Sequence, residues 1–118
     1  MTIEMGGVTI DCADPRTLAE FWAKALNTTV GADYGGEFVL IGPPSGSGPY
    51  LGLQKVPEAR AGKNRVHIDF RAEDRAAEVA RLVSLGATQV GEHTVPGLSW
   101  TVLQDPVGNE FCVGSEHG

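Results

Sequence analysis

The sequence carries little of what several protein classes need. It has two cysteines, Cys12 and Cys112, 100 residues apart in a chain of 118. That number and spacing make neither a disulfide framework nor a zinc set, so reduced thiols and a cytoplasmic setting are expected. Positive charge is scarce, with nine Lys and Arg against fifteen Asp and Glu and a formal net charge of -6. Such a chain lacks the basic face that nucleic acid or an anionic membrane requires, so neither partner is expected. No apolar run reaches the roughly 18 residues of a membrane span. The first residues lack the basic-then-apolar pattern of a secretory leader. The stretch from Gly42 to Pro49 is rich in Gly, Pro and Ser but no Gly-Lys-Ser/Thr follows it, which makes it a connecting loop and not a phosphate loop.

What remains is the composition of a globular chain, 42% hydrophobic and 20% charged, long enough for one domain with a working core. Its organising feature is a repeat. Val8-Thr9-Ile10-Asp11 returns as Val66-His67-Ile68-Asp69, 58 residues on. Each copy precedes a helical pattern. The first spans about Pro15 to Leu26, with Asp14 as N-cap before Pro15 and apolar Leu18, Phe21, Trp22, Ala25 and Leu26. The second spans about Asp74 to Leu85, with Ala76, Val79, Ala80, Val83 and Leu85 as its apolar positions. Gly86 ends it, and Asn27 takes the matching place in the first copy, the two residue types best suited to a left-handed cap.

Three strand-like segments follow each helix: about 28–33, 37–41 and 50–56, then about 88–93, 99–104 and 110–114, separated by Gly, Pro and Asn turns. The pattern is βαβββ twice, an α+β fold of paired modules in a single domain. Module one covers about 1–56, a linker about 57–64, and module two about 65–118. Alternation places Val66, Ile68 and Phe70 on a helix-packed face and His67, Asp69 and Arg71 on the other. Val8, Ile10 and Cys12 oppose Thr9 and Asp11 in the same way, so Cys12 reads as a small buried hydrophobe.

The segments Val8–Asp11, Leu18–Asn27, Val66–Asp69, Ala80–Ala87 and above all Asp105-Pro106-Val107-Gly108-Asn109-Glu110-Phe111 resemble the vicinal oxygen chelate superfamily, which includes glyoxalase I, bleomycin-resistance proteins and extradiol dioxygenases. The resemblance covers nearly the whole chain. It implies a curved mixed sheet around a concave pocket, and a homodimer. It also implies four metal-ligand positions, which fall here on Thr9, Gln54, His67 and Cys112. Metal-dependent members use His or Gln, Glu, His and Glu there. Only His67 is an ordinary ligand in this chain, so no cofactor is expected and a divalent metal is disfavoured.

The candidate site residues follow. His67, with Asp69 or Glu110, is the candidate for proton transfer. Thr9, Gln54, His67, Trp100, Cys112, Tyr50 and Phe38 are the candidates for ligand contact, with Trp100 as the pocket wall. Tyr34 belongs to the same aromatic set. Trp22 is expected at a module or dimer contact, and His93 belongs to no constellation. Lys55, Arg60, Lys63 and Arg65 read as a solvated linker, and His117 as part of a mobile terminus. The expected function is metal-free binding of a small molecule, similar to the sequestering bleomycin-resistance proteins, with a cationic, partly apolar ligand suited to the acidic balance. The alternatives are a metal-free lyase or isomerase using His67, and a metal-dependent glyoxalase-like lyase or dioxygenase.

Overall fold

The computed structural model describes residues 5–42, 48–59, 61–62 and 66–114. Arg60, Lys63, Arg65, His117 and most of the Gly42–Pro49 loop lie outside them. The chain forms two compact units, Met1–Ala59 and Arg60–Gly118. Each holds one helix and one four-stranded mixed sheet.

In the first unit, β1 (Gly7–Cys12) leads to α1 (Pro15–Ala25), then β2 (Val30–Tyr34), β3 (Phe38–Ile41) and β4 (Tyr50–Lys55). The strand order is β1-β4-β3-β2, with β1 parallel to β4 and the other pairs antiparallel. In the second unit, β5 (Ile68–Arg71) leads to α2 (Arg75–Leu85), β6 (Thr88–Val95), β7 (Leu98–Gln104) and β8 (Glu110–Gly114). The order β5-β8-β7-β6 repeats the arrangement, with β5 parallel to β8. This is the twofold βαβββ pattern, realised as two mixed sheets.

Local chemistry sets the helix ends alike in both units. The Asp14 carboxylate accepts from the Thr17 N–H and the Thr17 hydroxyl, and Asp74 accepts from the Ala77 N–H. At the other end, Asn27 N–H donates to the Lys24 carbonyl and Thr28 N–H to that of Ala23. Gly86 and Ala87 bond Val83 and Leu82 in the same pattern, a Schellman motif. Its left-handed residue is Asn27 at φ 53° and Gly86 at φ 123°.

Packing differs between the units. Helix α1 buries Pro15, Leu18, Ala19, Phe21, Trp22 and Ala25, against the sheet face carrying Val39, Ile41, Leu51 and Leu53. Each buried large side chain contributes about 1.5–3 kcal/mol. Trp22 is 1% exposed and meets Phe21 edge-on at 5.0 Å, which leaves it no surface for a second subunit. Helix α2 buries only Val79 and Leu82. Ala76, Ala80 and Val83, three of its apolar positions, are exposed. The stripe they form with Val79 is apolar, but Leu82 and the half-buried Leu85 turn the helix so that the stripe faces partly outward.

Strand β5 begins at Ile68, later than the sequence pattern predicts, and Val66 is 77% exposed instead of packed on a helix. The β7–β8 turn explains its own motif. The Asp105 side chain, 3% exposed, accepts from the N–H groups of Val107 and Asn109 and from the Asn109 side chain, at 2.9–3.1 Å. Gly108 follows at φ 94°, where a side chain is strained.

Candidate functional site

Strand register assigns the open face of each sheet, opposite its helix. In the second unit the helix side is fixed by Thr101, whose buried hydroxyl accepts from Arg75 on α2. Thr101 pairs with Val113 and Leu103 with Phe111, so Trp100, Val102 and Gln104 lie on the open face opposite Gly114, Cys112 and Glu110. On β5, Asp69 pairs with Cys112. His67 stands one step before the Ile68–Phe111 pair and reaches Glu110. His67, Asp69, Glu110 and Cys112 therefore form one patch on two adjacent strands.

The patch has a specific polarity. His67 Nε2 is 3.6 Å from Glu110 Oε1, beyond hydrogen-bonding reach, and is a buried nitrogen with no partner. A buried polar atom left unpaired costs about 1–3 kcal/mol, which a ligand that bonds it can recover. The Cys112 thiol is pushed up from its ordinary value by burial first, then by the charge of Asp69 and its hydrogen bond, and by Glu110. Cys112 is thus a neutral thiol beside two carboxylates, unsuited to act as nucleophile or as thiolate ligand. Among the described residues no three His, Cys, Asp or Glu side chains stand where they can jointly hold a metal ion.

Trp100 is on the same face but at its other end. Its register partner Gly114 lies four residues along β8 from Glu110, about 13 Å at the usual strand rise. Val102 and Cys112 occupy the ground between. Trp100 has a partner that the sequence reading omitted. The His93 ring stacks on it at 5.4 Å with planes 23° apart. Counting outward from the Pro96-Gly97 turn through Val95–Leu98 pairs these residues, so the signal was present in the hairpin.

The first unit presents the equivalent face differently. Thr9 pairs with Gly52, and Asp11 with Gln54, 58 residues before Asp69 and Cys112. Phe38 pairs with Gln54, and its ring tip is 2.8 Å from the place a Gly52 Cβ would take. Thr9 Oγ1 is 3.0 Å from the same point. Tyr50 lays its ring over Gly7, and Tyr34 is 61% exposed at the end of β2. Thr9, Gln54, Phe38 and Tyr50 thus share one face, where phenyl packing stands in place of the His–carboxylate pair.

The sequence reading also missed the ion pairs Arg16–Asp33 at 2.7 Å and Arg75–Glu92 at 3.3 Å. Each links the first turn of a helix to the strand at the sheet edge, at a separation of 17 residues. The Arg16 hydrogen bond and the Gly36 N–H hold Asp33 below its ordinary value.

The fold is one that known proteins share. The chain matches the Glyoxalase-like domain over residues 7–114 and belongs to that family, within the vicinal oxygen chelate superfamily. Its fold is similar to that of a glyoxalase/bleomycin resistance protein/dioxygenase family enzyme from Burkholderia phytofirmans PsJN, with a TM-score of 0.78, 14% identity and coverage of 96% and 98% of the two chains. It is similar to lactoylglutathione lyase from Agrobacterium tumefaciens, with a TM-score of 0.70, 21% identity and coverage of 95% and 92%. It is also similar to a fosfomycin resistance protein from Listeria monocytogenes in complex with Mn(II) and a dihydroxypropylphosphonic acid. There the TM-score is 0.79, with 16% identity and coverage of 96% and 90%. No relative is found among curated proteins. At these identities the likeness is one of fold, which hosts several chemistries.

Proposed function

We propose that this glyoxalase-like protein binds a cationic, partly apolar small molecule on the open sheet face of its second unit, without metal and without converting it. The observation that carries this reading is the unpartnered, buried His67 Nε2 beside Glu110 and Asp69. A polar ligand group satisfies the imidazole, the carboxylates attract positive charge, and Trp100 with His93 offers an aromatic surface further along. The donor set supports metal-free binding. Cys112 stands where the resemblance calls for a carboxylate, and its thiol is held neutral. Thr9 and Gln54 supply no charge at the matching positions of the first unit.

Homodimerisation, as the resemblance implies, and residence in the cytoplasm belong to the same reading. The two buried free thiols are compatible with a reducing compartment. No helix among the described residues is long and apolar enough to cross a membrane.

The test is a thermal-shift and calorimetric screen with bleomycin and a panel of aromatic organic cations. A hit should be recovered chemically unchanged, and His67→Ala or Glu110→Gln should weaken it about tenfold, or about 1.4 kcal/mol. Turnover of the hit that disappears in His67→Ala replaces binding by catalysis. One stoichiometric divalent ion in the purified protein, lost in His67→Ala, overturns the metal-free reading.

A further inference from the structure

The second unit holds a groove of about 440 Å³ on the helix side of its sheet, away from the His67 patch. One wall is the apolar stripe of α2, the exposed Ala76, Ala80 and Val83 with the buried Val79 between them. At the N-terminal end of that stripe stand Arg75, Thr101 and Glu92. The volume is in the range of small-molecule sites.

We propose that this groove is a second ligand site, which takes a small amphiphile with a single carboxylate head and an unbranched apolar chain. Two independent features of the groove point to such a ligand. The stripe has the i, i+3, i+4, i+7 spacing of a buried helix face, yet only Val79 is covered by the chain itself. From Ala76 to Val83 it runs seven residues, about 10 Å at the helical rise, the length of an eight-carbon chain. The head-group end is built around Arg75. Its Nη1 donates to Thr101 Oγ1 at 2.6 Å, and Thr101 is 1% exposed, so the guanidinium is anchored from below. The same Nη1 meets Glu92 at 3.3 Å. Among the described residues Nε and Nη2 have no hydrogen-bond partner, and they form the edge of the guanidinium that matches a carboxylate. Glu92 is 63% exposed against 24% for Arg75. A pair so open is worth little, so an incoming carboxylate displaces or shares it readily.

The reading of the His67 patch plays no part in this. The experiment is a titration of the full chain with octanoate, followed by backbone amide shifts in solution, with 1-octanol as the headless control. Saturable shifts should cluster on α2 from Ala76 to Val83 and on β6 from Gln89 to Glu92. Octanol should bind at least about tenfold more weakly. Ala80→Phe, which fills the groove from an exposed position, should abolish both. Arg75→Gln should weaken octanoate and leave octanol unchanged. Glu92→Gln removes the competing carboxylate, keeps the Thr101 anchor and should tighten octanoate. Equal binding of octanoate and octanol overturns the proposal, as does octanoate binding that survives Ala80→Phe. Shifts that cluster instead around His67 and Trp100 overturn it too. So does a concentration-dependent dimer without octanoate that shifts the same α2 amides, since a second copy then covers the stripe.

Discussion

The two units share a frame and differ in what they place on it. Both cap their helix with Asp, close it with a Schellman motif and tie its first turn to the sheet edge through an Arg ion pair. The open face of the first is filled by Phe38 over Gly52, whereas the second shows His67, Glu110, Asp69 and Cys112. Helix α1 is buried along its length, and α2 leaves an apolar stripe uncovered. The frame is made by short-range backbone chemistry that tolerates many neighbours. The faces are made by single side chains, so one module can become packing while the other keeps polar groups available.

The largest test of this contrast compares the two helices. Trp22→Ala should cost about 3–5 kcal/mol in urea denaturation. Leu82→Ala, at the matching place on α2, should fall at the low end of the roughly 2–5 kcal/mol seen for such truncations, because its surroundings are more open. Equal losses would show that α2 is as firmly seated as α1. A smaller effect, of opposite sign, separates the open faces. Gly52→Ala drives a methyl into Phe38 and Thr9 and should destabilise by about 1–3 kcal/mol. Gly91→Ala in the second unit meets nothing within 4 Å and should stabilise by up to about 1 kcal/mol. Thermal melts of both variants decide the matter, and a stabilising Gly52→Ala would remove Phe38 as the filler of that face.

The smallest effect is in acid. Asp14, through the Thr17 hydroxyl, and Asp33, through Arg16, are held below the ordinary carboxylate value of 3.8. Their stabilisation is present above the unfolded value and is lost as pH falls through the lower folded one. Melting temperature should therefore fall less steeply below about pH 4 in Asp14→Asn/Asp33→Asn than in the natural sequence. An unchanged slope would show that these exposed contacts contribute nothing to the first unit.

Much of the frame was legible in the sequence. The repeat of Val8-Thr9-Ile10-Asp11 fixed an offset that the pairs Asp11–Gln54 and Asp69–Cys112 reproduce residue for residue. Asn27 and Gly86 announced the two helix ends. What failed were choices between apolar surfaces. Alanine carries too little area to tell a core face from an exposed one, so the apolar spacing on α2 left open which of its positions are buried. Phe21 and Trp22, adjacent on α1, are both buried, which leaves Trp22 no surface for the dimer contact that was one of its two expected places. Trp100 was singled out as an aromatic pocket wall, but that choice is silent on its distance from His67 along the strand, which the register shows. The contribution of His93 was visible only by counting through its hairpin.

The Asp105 turn fixes the phase of the final strand. Its carboxylate binds three donors across the turn, Gln104 and Glu110 pair next to it, and a slip of one residue would put Phe111 on the open face in place of Glu110. The stretch from Asp105 to Asn109 thus works as an indexing device for the strand after it. Here the aimed residues are the carboxylate of Glu110 and the neutral thiol of Cys112, set beside His67 and Asp69.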